Sequence, residues 1–114
     1  MPDCLFCKIA RGEIPSQKVD ETENVLAFRD IDPQAPTHVL LIPKEHIVGS
    51  AADLGPEHAA LLGELFTLAG KIARAEGLEH GWRLLTNVGD HAGQSVAHLH
   101  LHLIGGRQMR WPPG

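Results

Sequence analysis

At 114 residues, 43% hydrophobic and 21% charged, the chain is long enough for one domain with a real core and too short for two. A net charge of -4 with neutral histidine offers no basic face for nucleic acid, and no apolar run approaches the roughly 20 residues that cross a membrane as a helix. The opening Met-Pro-Asp-Cys-Leu lacks the charged-then-apolar pattern of a secretory leader. A cytoplasmic setting is expected, where Cys4 and Cys7 bind metal or stay reduced rather than form a disulfide.

Residues 4 to 11 read as a short helix ending at Gly12, followed by a connection through Pro15. Lys18 to Glu21 and Asn24 to Arg29 read as a hairpin, with Val25 to Phe28 its apolar part. Asp30-Ile31-Asp32-Pro33 ends it. His38 to Pro43 is nearly all apolar, as a central strand is. Pro56 to Glu76 reads as the long helix, with proline at its first position and Gly77 at its stop. Leu61, Leu62, Leu65, Phe66, Ala69, Ile72 and Ala73 form the stripe expected to bury against a sheet. His58, in the first turn, is expected to be exposed. Trp82 to Asn87 is a further strand, and Gly89 to Gly93 a loop. The tail, Arg107 to Gly114, carries Trp111 before two prolines and fits neither helix nor central strand. The order predicts an α+β fold with an antiparallel sheet, residues 1–114 forming one domain.

The stretch His98-Leu-His-Leu-His102 reads as the last strand. Alternation puts His98, His100 and His102 on one face and Leu99, Leu101 and Leu103 on the core side. The outer histidines are then about 13 Å apart. With zinc–nitrogen bonds of about 2 Å, all three cannot share one ion. Neutral imidazole is a nucleophile near neutral pH and attacks phosphorus. Gly89-Asp90-His91-Ala92-Gly93-Gln94-Ser95 runs directly into the strand. Its glycines let backbone N–H groups approach an anion, and Ser95 adds a hydroxyl. Asp30, at a strand end, can accept hydrogen bonds from a ribose diol, and Ile31 can cover a base. His80 and His91 read as loop histidines without a role.

His98 to Ile104 resembles the histidine triad motif, and the resemblance covers nearly the whole chain. Ala10 to Pro15, Ala27 to Pro43, Gly93 to Val96, Gly105 to Met109 and the ending Trp111-Pro-Pro-Gly114 are similar to the Hint branch of the histidine triad (HIT) superfamily. The resemblance implies an antiparallel sheet of about five strands, with one long helix and a short N-terminal helix. It implies a purine nucleoside phosphoramidase that cleaves the P–N bond of AMP or GMP linked to an amine, with aminoacyl adenylates as related substrates. His100 matches the nucleophile that carries the nucleotidyl group, and no cofactor is implied for that chemistry. His102 and Ser95 match residues near the phosphate, and His38 a histidine of the proton network, with His98 nearby. Phe28, Asp30, Ile31, Asn87, Gly93, Gln94, Ser95, Val96, His100, His102 and Trp111 match positions of the nucleotide site. A homodimer is implied, with the tail and Trp111 reaching toward the partner's site. Packing of Trp111 on its own subunit stays open.

Cys4 and Cys7 depart from animal Hint proteins. His46 and His98 match the positions that complete a Cys2His2 zinc site in bacterial members of the superfamily. Such a zinc would be structural and would remove His98 from proton transfer. Two reduced cysteines on a short helix is the alternative. For the whole chain, the other readings are a nucleotide-binding or scaffold module with little catalysis, and a zinc protein whose histidines are all ligands. Dinucleoside polyphosphate hydrolysis is disfavoured by the Gly105 to Gly114 ending. Nucleotidyl transfer of the galactose-1-phosphate type is disfavoured by His102, and DNA-end deadenylation by the absence of a basic surface.

Overall fold

The computed structural model describes residues 4–114; Met1 to Asp3, part of the leader reading, lie outside the described residues. Helix α1 is Leu5–Ala10, and strands β1 and β2 are Lys18–Glu21 and Val25–Arg29. Strand β3 is Thr37–Pro43, helix α2 Ala59–Ala75, β4 Trp82–Leu85 and β5 Leu101–Gly105. All pairings are antiparallel, and the five-stranded sheet has the order β1-β2-β3-β5-β4. This is the expected α+β architecture.

Strand alternation divides the side chains between two faces. Val25, Ala27, Val39, Leu41, Leu101 and Leu103 point to one side, where Leu65, Leu68, Ala69, Ile72 and Ala73 of α2 cover them. Leu26, Phe28, Leu40 and Ile42 point to the other, where Phe6, Cys4, Ile9 and Ala10 of the α1 region and Val96 cover them. A small helix therefore roofs one face and a large one the other. His38 and His102 lie on the α1 side. His102 pairs with Leu40 in the β3–β5 register, and His38 with Ile104, so the two histidines are diagonal neighbours within reach of each other.

Three element readings need correction. The long helix begins at Ala59; Pro56–His58 is a 3-10 turn. His58 is half-buried there, its Nδ1 accepting the Gly55 N–H at 3.0 Å. Phe66 is 57% exposed, because the buried stripe runs Leu65, Leu68, Ala69, Ile72 and a one-residue step turns a side chain about 100° off it. The strand at Trp82 ends at Leu85 rather than Asn87.

The histidine stretch is strand only from Leu101. Before it, the chain leaves β3 and finds other partners. The Leu99 N–H goes to the Val48 carbonyl at 3.0 Å, and the Thr86 hydroxyl donates to the His100 carbonyl at 2.7 Å. The alternation nevertheless persists, since Leu99 joins Leu101 and Leu103 in the helix-covered core.

Candidate functional site

The three histidines share the α1 side, and of them only His102 is partly open to solvent. His98 is fully buried and His100 nearly so. The His98 ring donates Nε2–H to the Pro43 carbonyl at 2.9 Å. A carbonyl can only accept, so the proton sits on Nε2 and Nδ1 keeps its lone pair. That Nδ1 lies 3.2 Å from Cys4 Sγ and 3.5 Å from Cys7 Sγ, and His46 Nδ1 lies 3.5 Å from Cys7 Sγ. Two thiols and two imidazoles thus bring four ligand atoms within 4.8 Å of one another. Zinc–sulfur bonds of about 2.3 Å and zinc–nitrogen bonds of about 2.0–2.1 Å place tetrahedral ligands at such separations. The residues fit a Cys2His2 zinc centre. Burial pushes the Cys7 thiol up from its ordinary value, with Cys4 adding to the rise, so a metal displaces a proton there on binding. Burial also pushes His98 down, against the pull of its bond to Pro43, which keeps the imidazole neutral as a ligand requires.

The second cluster is Asp30, His38 and His102, whose ligand atoms also lie within 4.8 Å of one another. Its hydrogen bonds run the opposite way. The Gln34 N–H donates to His38 Nδ1 at 3.0 Å. Because that nitrogen accepts, the proton of neutral His38 sits on Nε2. Nε2 lies 2.9 Å from His102 Nδ1 and 3.4 Å from Asp30 Oδ2. It is occupied by a proton and is not a ligand atom. His102 Nδ1 accepts, which leaves the His102 proton on Nε2. Burial first, then His100 and His38, push His102 down to about 4, with Asp30 opposing. His102 is neutral at pH 7.

His100 stands between the clusters. Its Nδ1 lies 2.7 Å from the His98 carbonyl and must donate to it, so in the neutral imidazole Nε2 carries the free lone pair. Its ring centroid is 5.1 Å from that of His102 and 4.9 Å from that of Phe6. One unprotonated nitrogen beside a proton-bearing histidine pair is an arrangement for nucleophilic attack with proton movement close by.

The structure separates residues that the sequence reading grouped. His98 is expected both beside the proton network and as a metal ligand; it lies in the thiol cluster, where its two nitrogens face Pro43 and the cysteines. Phe28 and Val96 border the apolar patch under α1. Asp30 is half-buried, its Oδ1 accepting the Asp32 N–H at 2.8 Å. Ile31 is fully exposed beside it. The 89–95 loop turns on Gly89 and Gly93, with φ of 83° and 80°, a region that other residues enter at a cost. The Gln94 amide accepts the Gly89 N–H and donates to the Gly49 and Val96 carbonyls, so it holds the loop's shape. Ser95 is exposed and Asn87 half-buried on either side of that loop. Trp111 is 86% exposed, and its tail is tied to its own chain by Arg83, which donates to the Arg110 carbonyl at 2.5 Å and the Pro113 carbonyl at 3.5 Å. A cavity of about 640 Å³ near this tail, lined by His80, Trp82, Arg83 and Met109 among others, includes none of His38, His46, His98, His100 and His102. His80 is exposed in a loop, and His91 is exposed in the 3-10 turn Asp90–Ala92. Thr86, Gln34 and Pro43 carry no functional role in the sequence reading. They act on His100, His38 and His98 through a hydroxyl or a backbone group, and no residue type or spacing announces that.

The chain is similar to known proteins over nearly its whole length. It is 53% identical over 112 residues to a 14 kDa zinc-binding protein of Zea mays, covering 96% of this chain and 87% of that one. It is 50% identical over 111 residues to the Adenylylsulfatase HINT1 of Arabidopsis thaliana, covering 96% and 76%. Among solved structures, a HIT family hydrolase from Legionella pneumophila superposes with a TM-score of 0.94 at 57% identity, covering 98% of this chain and 100% of that one. No helix among the described residues is long and apolar enough to cross a membrane. The HIT domain family matches residues 11–109, beginning just after the cysteine pair, and the chain belongs to that family.

Proposed function

We propose that the protein is a hydrolase of purine nucleoside phosphoramidates that works through a nucleotidyl-histidine at His100. The observation that carries this reading is the 2.7 Å bond from His100 Nδ1–H to the His98 carbonyl, which leaves Nε2 as the attacking lone pair. Nε2 attacks the α-phosphorus of an AMP or GMP amide. The P–N bond to the amine breaks, and the amine leaves with a proton. Water then attacks the same phosphorus, the phosphorus–histidine bond breaks, and the nucleoside monophosphate departs. His102 and Ser95, with Asn87 and Gly93, serve the phosphate. His38 holds a proton against His102. Asp30 accepts the ribose hydroxyls, while Ile31 and Phe28 meet the base. The chemistry uses imidazole alone. The chain works as a homodimer, with Trp111 reaching the partner's pocket.

A structural zinc at Cys4, Cys7, His46 and His98 is part of the same reading. It is supported by the donor set and by the zinc-binding name of the Zea mays relative. When bound, the ion supplies a covalent tie between α1 and the sheet.

An adenosine 5′-phosphoramidate carrying a fluorescent amine tests the function. The native chain is expected to release the amine and to show a transient nucleotidyl adduct in the intact mass of a quenched sample. His100→Ala is expected to lose on the order of 10⁴-fold or more, as when other covalent nucleophiles are removed. Adenylyl sulfate belongs in the same assay, because the Arabidopsis relative is named an adenylylsulfatase. Turnover of that compound alone would move the substrate from P–N bonds to mixed anhydrides. Binding of AMP without turnover of either compound would favour a nucleotide-binding module.

A further inference from the structure

His98 belongs to two systems at once. Its ring lies among the thiols, with Nδ1 3.2 Å from Cys4 Sγ, and its carbonyl receives Nδ1–H of His100 at 2.7 Å. Leu99, between them, is fixed by its N–H to Val48. A ring-to-backbone lever of two residues therefore joins the cysteine cluster to the candidate nucleophile. A second link runs through α1. Phe6 lies between Cys4 and Cys7, and its ring meets His100 edge-on at 4.9 Å and His98 at 5.9 Å. Any ion held by both cysteines fixes the backbone on either side of Phe6. Both restraints on the His100 ring thus lead back to one centre.

We propose that Cys4, Cys7 and His46, joined to His98 through a shared metal ion, are positioning residues for His100 and set the alignment and tautomer of its ring, beyond pinning the N-terminus. The proposal rests on His100 being the nucleophile. Without the ion, His98 keeps the Pro43 bond and only weak thiol contacts at Nδ1, and its ring is held less firmly. Its carbonyl then drifts from His100 Nδ1, Phe6 is freed, and the proton of His100 is no longer confined to one nitrogen. The chain's own residues carry the effect, and no chemical step passes through the metal. Groups that orient an active histidine from one layer out typically change activity about 10- to 100-fold.

The test uses the full chain labelled with ¹⁵N-histidine, zinc-loaded and then stripped with a chelator, with circular dichroism to report folding. Loaded protein is expected to show His100 as a single tautomer, protonated at Nδ1. Stripped, folded protein is expected to show averaged nitrogen shifts for His100, a kcat lower by about 10- to 100-fold, and AMP affinity changed less than about threefold. Adding zinc back restores both. The same readouts are taken on His46→Gln, which deletes a ligand while leaving every residue of α1 and His98 itself unchanged, so that unfolding of the stripped chain does not remove the test. An unchanged His100 spectrum in folded, metal-free protein overturns the proposal. Tautomer averaging on stripping, in a chain that turns over no phosphoramidate even when loaded, would retain the coupling and sink the catalytic reading instead.

Discussion

The Cys4/Cys7/His46/His98 cluster and the Asp30/His38/His102 cluster look alike as collections of ligand atoms, each within 4.8 Å. Their hydrogen bonds run in opposite senses, and the difference lies in one backbone group apiece. His98 faces a carbonyl, that of Pro43, and so offers its other nitrogen as a bare lone pair to the thiols. His38 faces an N–H, that of Gln34, and so carries its proton on the nitrogen that meets His102 and Asp30. An acceptor behind an imidazole makes a ligand, and a donor behind it makes a proton holder. Composition alone cannot separate the two, because the deciding atoms are peptide groups that every residue carries.

The largest expected effect of breaking this contrast comes at His98, whose ring faces the thiols and whose carbonyl accepts from His100. His98→Ala is expected to abolish stoichiometric zinc and to lower phosphoramidate turnover by on the order of 10²-fold or more, read by metal analysis and amine release on one sample. Next comes His38→Ala, which takes the donor from His102 Nδ1. Turnover is expected to fall about 10- to 100-fold with zinc content unchanged. A variant that lost zinc would show that the two clusters are not separate.

The contrast also predicts a pH dependence. Burial holds His102 down at about 4 in the folded protein, against an ordinary 6.5. Below 6.5 the unfolded chain takes up a proton that the folded chain resists. Stability from this group is therefore complete above 6.5 and is lost as pH falls toward 4. Denaturant midpoints between pH 7 and 4 should decline in native protein and decline less in His102→Gln. The smallest effect belongs to Gln94→Ala, which removes the amide that braces the loop from Gly89 to Val96. A loss of about 1 kcal/mol in thermal unfolding is expected, as for one or two net hydrogen bonds.

Much of this was legible in the chain. The hairpin from Lys18 to Arg29, the apolar strand at His38 and the helical stripe of Leu65, Ala69, Ile72 and Ala73 are periodic patterns, and periodicity survives into packing. The spacing of Cys4 and Cys7 points to a metal, and the alternation of Leu99, Leu101 and Leu103 identifies the buried face of the histidine stretch. Three features were not legible. Phe66 is apolar yet faces out, since a stripe's edge depends on where the helix sits on the sheet. The strand's late start at Leu101 follows from partners at Val48 and at Thr86, just past β4, that only the fold brings near. The division of the histidines between two clusters depends on Pro43 and Gln34, whose contribution is backbone.

The most direct measurement is zinc per chain, by atomic emission after dialysis against metal-free buffer, for the native protein, Cys4→Ser/Cys7→Ser and Asp30→Asn/His38→Ala. One zinc per chain in the native protein and in the Asp30/His38 variant, with none in the cysteine variant, is the predicted result. Two zincs per native chain, or loss of metal on changing Asp30 and His38, would contradict the assignment of one cluster to metal and the other to protons.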